Sequence, residues 1–175
     1  MTNIEGEFLE WLSSIVNASD GALTITLEEL SEWWISGYFT LYCNFDVQMD
    51  PHGLKNSYYD RVVPEFNFSR NIAELPIMTL LASYFGVSPN IRSNGSRVDI
   101  NVYGLDHALS IVNLFETHPL LSSKQDEFRA WTKIINDLEI LRNRPSYDRL
   151  SLSRYMKHFK ALALELEKIR QSNNT

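Results

Sequence analysis

The sequence contains very little of the material from which covalent cross-links and metal clusters are built. Its 175 residues include one cysteine, Cys43. A single thiol excludes an internal disulfide and a cysteine-rich zinc site, and it favours an intracellular or organellar protein. Long apolar runs are also missing, since Glu28, Glu29 and Glu32 interrupt the richest stretch. A membrane span needs roughly 18 to 20 apolar residues, so we expect a soluble protein.

Positive charge is absent from the first 54 residues, which contain nine acids and neither lysine nor arginine. All 16 basic residues follow, together with 13 acids, so the later part is mildly basic within a chain of net charge −6. An acidic start without arginine predicts neither a transit peptide nor a secretory signal. A protein of this kind that works in an organelle would be encoded there or trimmed on import.

Hydrophobic periodicity predicts an α+β protein. Helical spacing of apolar residues predicts helices over residues 8–16, 27–38, 74–85, 105–116, 123–141 and 148–171. Alternation of polar and apolar residues predicts two antiparallel hairpins, formed by strands at 44–50 and 62–68 and at 90–92 and 97–103. We expect an N-terminal helical extension (1–25), a main domain (26–141) and a C-terminal helix of the same domain (142–175). Helices should cover one face of a four-stranded antiparallel sheet.

Four segments carry a resemblance to a known family. Residues 34–45 read WISGYFTLYCNF and resemble the signature helix and first strand of the LAGLIDADG homing endonucleases and maturases of organellar introns. Residues 64–69 (PEFNFS) and 80–87 (LLASYFGV) are similar to the second strand and to the end of the next helix. Residues 112–128 (VNLFETHPLLSSKQDEF) are similar to a later family segment. The resemblance implies an αββαββα core with extra N- and C-terminal helices.

The resemblance also implies how such a protein works. Two signature helices, from two chains or two repeats, pack together through small residues. The acid that ends each helix holds Mg²⁺ at the scissile phosphates, where the metal activates water and stabilises the leaving oxygen. This chain has one signature, so it implies a homodimer or a second LAGLIDADG-like chain, with Trp33, Ser36 and Gly37 at the interface. Trp33 and Trp34 should point in different directions, one into the core and one toward the partner.

The signature of this chain is degenerate. Aligned with the family motif, the catalytic acid falls on Tyr42, the second acid on Thr40 and the motif glycine on Cys43. A phenol with a pKa of about 10 is a poor ligand for Mg²⁺. We therefore expect no cofactor, with Mg²⁺ needed only if the protein cleaves, and we expect Tyr42 to be a buried aromatic. Lys124 matches the family's basic residue near the scissile phosphate.

The outward side chains of the four strands form the face that reads DNA in this family. Some are amides or arginine, which can bind base edges, and basic residues at strand ends and turns can reach phosphates. Four outward acids, Asp46, Asp50, Glu65 and Asp99, weaken such binding without abolishing it. The four histidines show no metal-binding spacing, so no metal site is assigned. The candidate nucleic-acid-binding residues are Asn44, Gln48, Lys55, Arg61, Asn67, Arg70, Arg92, Arg97, Asn101 and Lys124.

Three functions follow from these observations. The first is a catalytically inactive, homing-endonuclease-derived protein that binds a structured organellar RNA or a DNA target without cutting it. The second is a structural subunit of a larger organellar assembly such as the mitochondrial ribosome, in which the acidic start meets a basic partner. The third is an active endonuclease that uses Asp46 as its acid. The style of the motif places the protein in a mitochondrion or another organelle, and none of the three readings involves a membrane.

Overall fold

The computed structural model describes residues 31–49, 62–143 and 149–173, with the side chains of the last helix from residue 154 onward. The predicted N-terminal extension and the turn at 51–53 lie outside these ranges. The described residues belong to one compact unit.

Helix α1 covers Glu32–Tyr42 and contains the signature segment. The Ser31 side chain accepts a hydrogen bond from the backbone N–H of Trp34 at 3.2 Å, so it satisfies one of the free amides at the helix start. The helix was expected to end near residue 38, which is wrong by one turn. The backbone N–H of Cys43 still donates to the carbonyl of Phe39, so helical bonding continues to the first residue of the next strand.

Four strands form one antiparallel sheet, as predicted. They are β1 (Cys43–Met49), β2 (Val62–Asn71), β3 (Asn90–Ile91) and β4 (Arg97–Tyr103). Their order across the sheet is β1-β2-β4-β3, so β1 and β3 are the outer strands. β1 and β2 pair with Phe45 opposite Phe66, and β2 and β4 pair with Phe66 opposite Val102.

The remaining helices complete the predicted αββαββα order and extend it. They are α2 (Leu75–Tyr84), α3 (Leu105–Thr117), α4 (Ser122–Arg142) and α5 (Arg149–Asn173). A short 3₁₀ turn at Ile72–Glu74 precedes α2, with Pro76 in the first turn of α2, where a missing N–H is harmless. Among the described helices, none combines the length and the apolar character that crossing a membrane requires.

The core is aromatic and lies between the sheet and the helices. Phe66 is fully buried in β2, and its ring centroid lies 5.1 Å from that of Phe39 in α1 and 6.0 Å from that of Phe115 in α3. Trp131 of α4 is also fully buried, 5.2 Å from Phe45. Its indole Nε1 donates to the backbone carbonyl of Asp46 at 2.9 Å. The core therefore fixes the backbone of β1, from which candidate binding residues project.

Three burial expectations need correction. The alternation that predicts a strand at 44–50 also predicts that Val47 and Met49 are buried on the same side as Phe45, but both are only half-buried, because β1 is an outer strand and they lie at its far end. Trp33 is 63% exposed, and Trp34 is half-buried with its ring stacked on that of Tyr38 at 5.4 Å. Neither tryptophan is a core residue, because Ile35 and Phe39 take the inward positions of α1.

Candidate nucleic-acid interface

The face of the sheet opposite the aromatic core carries polar side chains in register. Two rows cross β1, β2 and β4: Asn44–Asn67–Asn101 and Asp46–Glu65–Tyr103. Directly opposed side chains in an antiparallel sheet lie about 4.5–5.5 Å apart at Cβ, so neighbouring rows form a continuous surface. We call this surface the polar face; Gln48, Ser69, Arg97 and Asp99 extend it.

Glu65 lies at the centre of the polar face and is 9% exposed. Its carboxylate accepts hydrogen bonds from Gln48 Nε2 at 2.9 Å and from Asn67 Nδ2 at 3.2 Å. Tyr103 lies directly opposite Glu65 on β4, and burial, followed by the negative charge of Glu65, raises the pKa of its phenol. Asn67 in turn accepts from Asn44 Nδ2 at 3.3 Å. Hydrogen bonds therefore link three of the polar side chains, Gln48, Asn67 and Asn44, to one carboxylate.

Two arginines lie at the β3–β4 end of the polar face. Arg92 Nε donates to Asp99 at 2.7 Å, and this hydrogen bond holds the pKa of the Asp99 carboxyl below its usual range. Arg97 donates from Nε to the hydroxyl of Ser69 at 2.9 Å and from Nη2 to the Ser69 carbonyl at 3.0 Å. A guanidinium has five N–H groups, so both arginines keep donors for a ligand.

Arg70 lies elsewhere than at the rim where sequence analysis expected it. Its guanidinium carbon is 3.7 Å from the centroid of the Tyr42 ring, at the foot of α1. Its Nε donates to Glu74 at 2.7 Å, and the hydroxyl of Tyr38 lies 3.5 Å from the same carboxylate oxygen. Tyr42 is partly exposed, so its expected burial is wrong: Arg70 covers one ring face, and the ring stays at the surface.

The foot of α1 does not fit Mg²⁺. The Thr40 hydroxyl donates to the Ser36 carbonyl at 3.0 Å and accepts from the Leu121 N–H at 3.1 Å. Burial raises the pKa of the Cys43 thiol, which keeps it protonated and unsuited to metal binding. Mg²⁺ prefers carboxylate and water oxygens. This foot offers a bonded hydroxyl, a phenol, and a guanidinium that is paired with Glu74 and whose positive charge repels another cation.

The other residues with an implied role in cleavage are engaged within the protein. Lys124 Nζ lies 3.0 Å from the carboxylate of Glu127, which is 2% exposed and also accepts from Asn173 at 3.2 Å. Asp46, the alternative acid, accepts from the N–H of Val47 at 2.8 Å and lies 4.0 Å from Arg170. Across the described residues, no group of three or more histidine, cysteine or acidic side chains is placed to hold a metal ion.

Trp33, Gly37 and Leu41 lie four residues apart along α1. They form one stripe on the outer surface of the helix. Trp33 and Leu41 are 63% and 60% exposed. A Cβ atom built on Gly37 meets nothing within 4 Å, so the glycine also faces open space. Ser36, expected beside Gly37 at an interface, instead is 2% exposed and donates to the carbonyl of His118 at 2.7 Å.

Three further residues bear on the site: two candidates from the sequence and one residue that sequence reasoning missed. Lys55 and Arg61 lie outside the described residues. The amphipathic pattern of residues 148–171 predicts a solvated basic face that includes Arg170, but Arg170 instead donates to the backbone carbonyl of Phe45 in β1. The two residues are 125 positions apart, and no local pattern signals a bond over that separation. An arginine on the packed side of an amphipathic helix was the only available clue.

Replacing Arg70 with methionine should reduce stability by about 1–2 kcal/mol. The variant loses the cation over Tyr42 and a charged hydrogen bond to Glu74, in a cluster whose side chains are only about a quarter exposed. Urea denaturation measures the change. Arg129→Met is the matched control, because its ion pair with Asp126 is largely exposed and should contribute under about 0.5 kcal/mol. Equal stability of the two variants would show that the Arg70 cluster contributes no more than a surface pair.

Comparisons with known proteins agree with this architecture. The α+β architecture with a four-stranded antiparallel sheet is the one that the sequence resemblance implied. A family model described as LAGLIDADG endonuclease matches residues 35–135, more than half of the chain. The chain belongs to the LAGLIDADG endonuclease family, which confirms the resemblance of its signature segments. No curated protein sequence matches the chain.

Solved structures of low sequence identity share the fold. The homing endonuclease I-TnaI matches with a TM-score of 0.55 and 19% identity, over 74% of this chain and 97% of that one. I-SmaMI bound to uncleaved DNA target in the presence of calcium ions matches with 0.62 and 15%, over 81% and 46%. I-GzeII in complex with DNA target matches with 0.58 and 14%, over 88% and 58%. The chain thus spans nearly all of I-TnaI and about half of the other two.

Proposed function

We propose that this protein binds double-stranded DNA through the polar face and does not cut it. The observation that carries the proposal is the combination of a polar sheet face with a motif foot in which Tyr42 and Thr40 stand where the family has its acids. Binding requires the first feature, and metal-dependent cleavage requires the acids that are missing.

The chemistry of the polar face supports DNA as the ligand. Asn44, Gln48, Asn67 and Asn101 carry amides, which bind adenine edges, and Arg97 can bind guanine. In duplex DNA these base edges lie in a major groove wide enough for strands to enter. The major groove of an RNA helix is too narrow and deep for side chains to read. I-SmaMI and I-GzeII, which share the fold, were both solved with DNA.

A second signature helix completes the proposed DNA-binding unit. The stripe of Trp33, Gly37 and Leu41 is apolar and open, as a helix–helix contact requires. A second copy of this chain is the partner that we propose, because one chain supplies one polar face and a two-fold dimer would read two half-sites. A different LAGLIDADG-like chain is the alternative partner.

Selection of duplexes from a randomised DNA library tests binding and cleavage together. The purified protein should enrich a specific duplex equally well in EDTA and in Mg²⁺, because Arg70 at the foot of α1 leaves no binding role for a metal. The selected duplex, labelled on both strands, should stay intact in Mg²⁺. Nicking of that duplex in Mg²⁺ would overturn the proposal that the protein is inactive, and an equal rate for Tyr42→Phe would show that the cleavage does not depend on the Tyr42 hydroxyl.

An RNA-binding subunit of an organellar assembly is the second candidate function. Four exposed cations of α5, Arg154, Lys157, Lys160 and Lys168, have no ion-pair partner in the part of the chain that the structure describes. A cationic helix face suits phosphate contacts in any nucleic acid. Identifying the nucleic acid and proteins that co-purify with the native protein separates the candidates. Ribosomal RNA with ribosomal proteins would favour this function, and one DNA sequence would favour the first.

A further inference from the structure

Hydrogen bonding to Glu65 fixes the orientation of the neighbouring amide side chains on the polar face, that is, which amide atom faces inward and which faces outward. A carboxylate only accepts hydrogen bonds, so every amide that bonds to it must present its nitrogen. Gln48 and Asn67 both do so, at 2.9 and 3.2 Å from the two oxygens of Glu65. This orientation follows from the chemistry of the partner, whichever way the amides are first built.

The orientation of Asn67 in turn fixes the orientation of the Asn44 amide. Because the nitrogen of Asn67 is used by Glu65, its oxygen is the atom that faces Asn44, and Asn44 donates to it at 3.3 Å. Asn44 Oδ1 and Gln48 Oε1 are then left without a donor among the described residues.

The residue that fixes the amide orientations is buried, whereas the residues that a ligand would contact are exposed. Glu65 is 9% exposed, whereas Asn44 and Gln48 are exposed and Tyr103 is 44% exposed. A ligand lying on the polar face therefore meets the amide and phenol oxygens before it meets the carboxylate. Glu65 is a positioning residue in this arrangement.

We propose that Glu65 sets the base preference at the centre of the polar face, which selects bases presenting an amino group in the major groove. This inference rests on the proposed DNA-binding function. Adenine N6 and cytosine N4 donate there, whereas guanine and thymine offer acceptors to the outward oxygens. Gln48 and Asn44 each keep a second amide N–H, which suits the adjacent donor and acceptor of adenine best. The contacted strand should therefore carry adenine or cytosine at these positions.

The test compares duplexes selected by the wild type, Glu65→Gln and Glu116→Gln from one randomised library. Wild type should enrich adenine or cytosine over guanine and thymine at least about fivefold at two or more central positions of one strand. Glu65→Gln replaces a carboxylate that only accepts hydrogen bonds with an amide that can also donate, so the neighbouring amides are no longer held in one orientation. The preference at the central positions should therefore fall below about twofold, while positions outside the centre keep their preferences. Glu116→Gln removes one exposed negative charge from α3 and should leave the preference unchanged.

Each outcome has a distinct meaning. If wild type enriches no duplex, the proposed function fails and this inference falls with it. If wild type enriches guanine or thymine at the centre, or if Glu65→Gln keeps the wild-type preference, the inference alone is overturned. Should Glu65→Gln fail to fold by circular dichroism, Gln48→Met at an exposed position replaces it and should abolish the preference at one central position. An unchanged preference at every position in Gln48→Met would equally overturn the inference.

Discussion

Trp131→Ala should lower the free energy of unfolding by about 3–5 kcal/mol, a large part of the stability of a domain of this size. Trp131 is fully buried against Phe45, and its truncation leaves a cavity between α4 and the sheet. The Asp46 carbonyl also loses the donor that lies 2.9 Å away. Urea denaturation followed by circular dichroism measures the loss.

Ile140→Ala is the control for this experiment. Ile140 lies on the same helix but is 53% exposed, so its truncation should change stability by no more than about 0.5 kcal/mol. A loss for Trp131→Ala that is no larger than the control value would mean that α4 does not pack on the sheet as described.

Gly37→Leu should weaken the proposed homodimer at least about tenfold without destabilising the protomer. A side chain at this position meets nothing within 4 Å inside the protomer. Leucine also has a higher helix propensity than glycine, by somewhat less than the roughly 0.8–1 kcal/mol that separates alanine from glycine, so the isolated fold should become slightly more stable. At a close helix–helix crossing, two added leucines force the helix axes apart. Sedimentation velocity over a concentration series gives the dimer dissociation constant.

Asn113→Leu provides the matched control, since it adds an exposed leucine to α3 away from the stripe of Trp33, Gly37 and Leu41. Its dissociation constant should equal that of wild type. A wild-type protein that stays monomeric at tens of micromolar, with Gly37→Leu indistinguishable from it, would rule out the homodimer and leave a different chain as the partner.

Sequence periodicity was enough to predict the fold because its signals are local. Alternation in β1 and β2 placed Phe45 and Phe66 on one side and Asn44 and Asn67 on the other, and the structure agrees. The C-terminal boundary of α1 was harder to predict, because the signature segment is apolar on several sides and contains no residue that signals a helix end.

The internal arrangement of the candidate site could not be read from the sequence. Arg70 was expected among residues free to reach phosphates, but its partners Tyr42 and Glu74 come together only when β2 leads into α2 beside the foot of α1. Glu65 was counted as one of four acids that oppose DNA. Its hydrogen-bond donors are Gln48 on β1 and Asn67 on β2, and Tyr103 lies opposite it on β4, so its organising position depends on the register of the sheet.

The two outer strands leave the sheet little scope for growth by strand addition. An unpaired strand edge is a template for another chain and a common origin of aggregation. On one side, Arg170 of α5 donates to the Phe45 carbonyl of β1. On the other, β3 is only two residues long and is followed at once by the charged Arg92. Addition of a further strand is therefore opposed at the β1 edge by α5, and the two-residue β3 offers only a short edge for pairing.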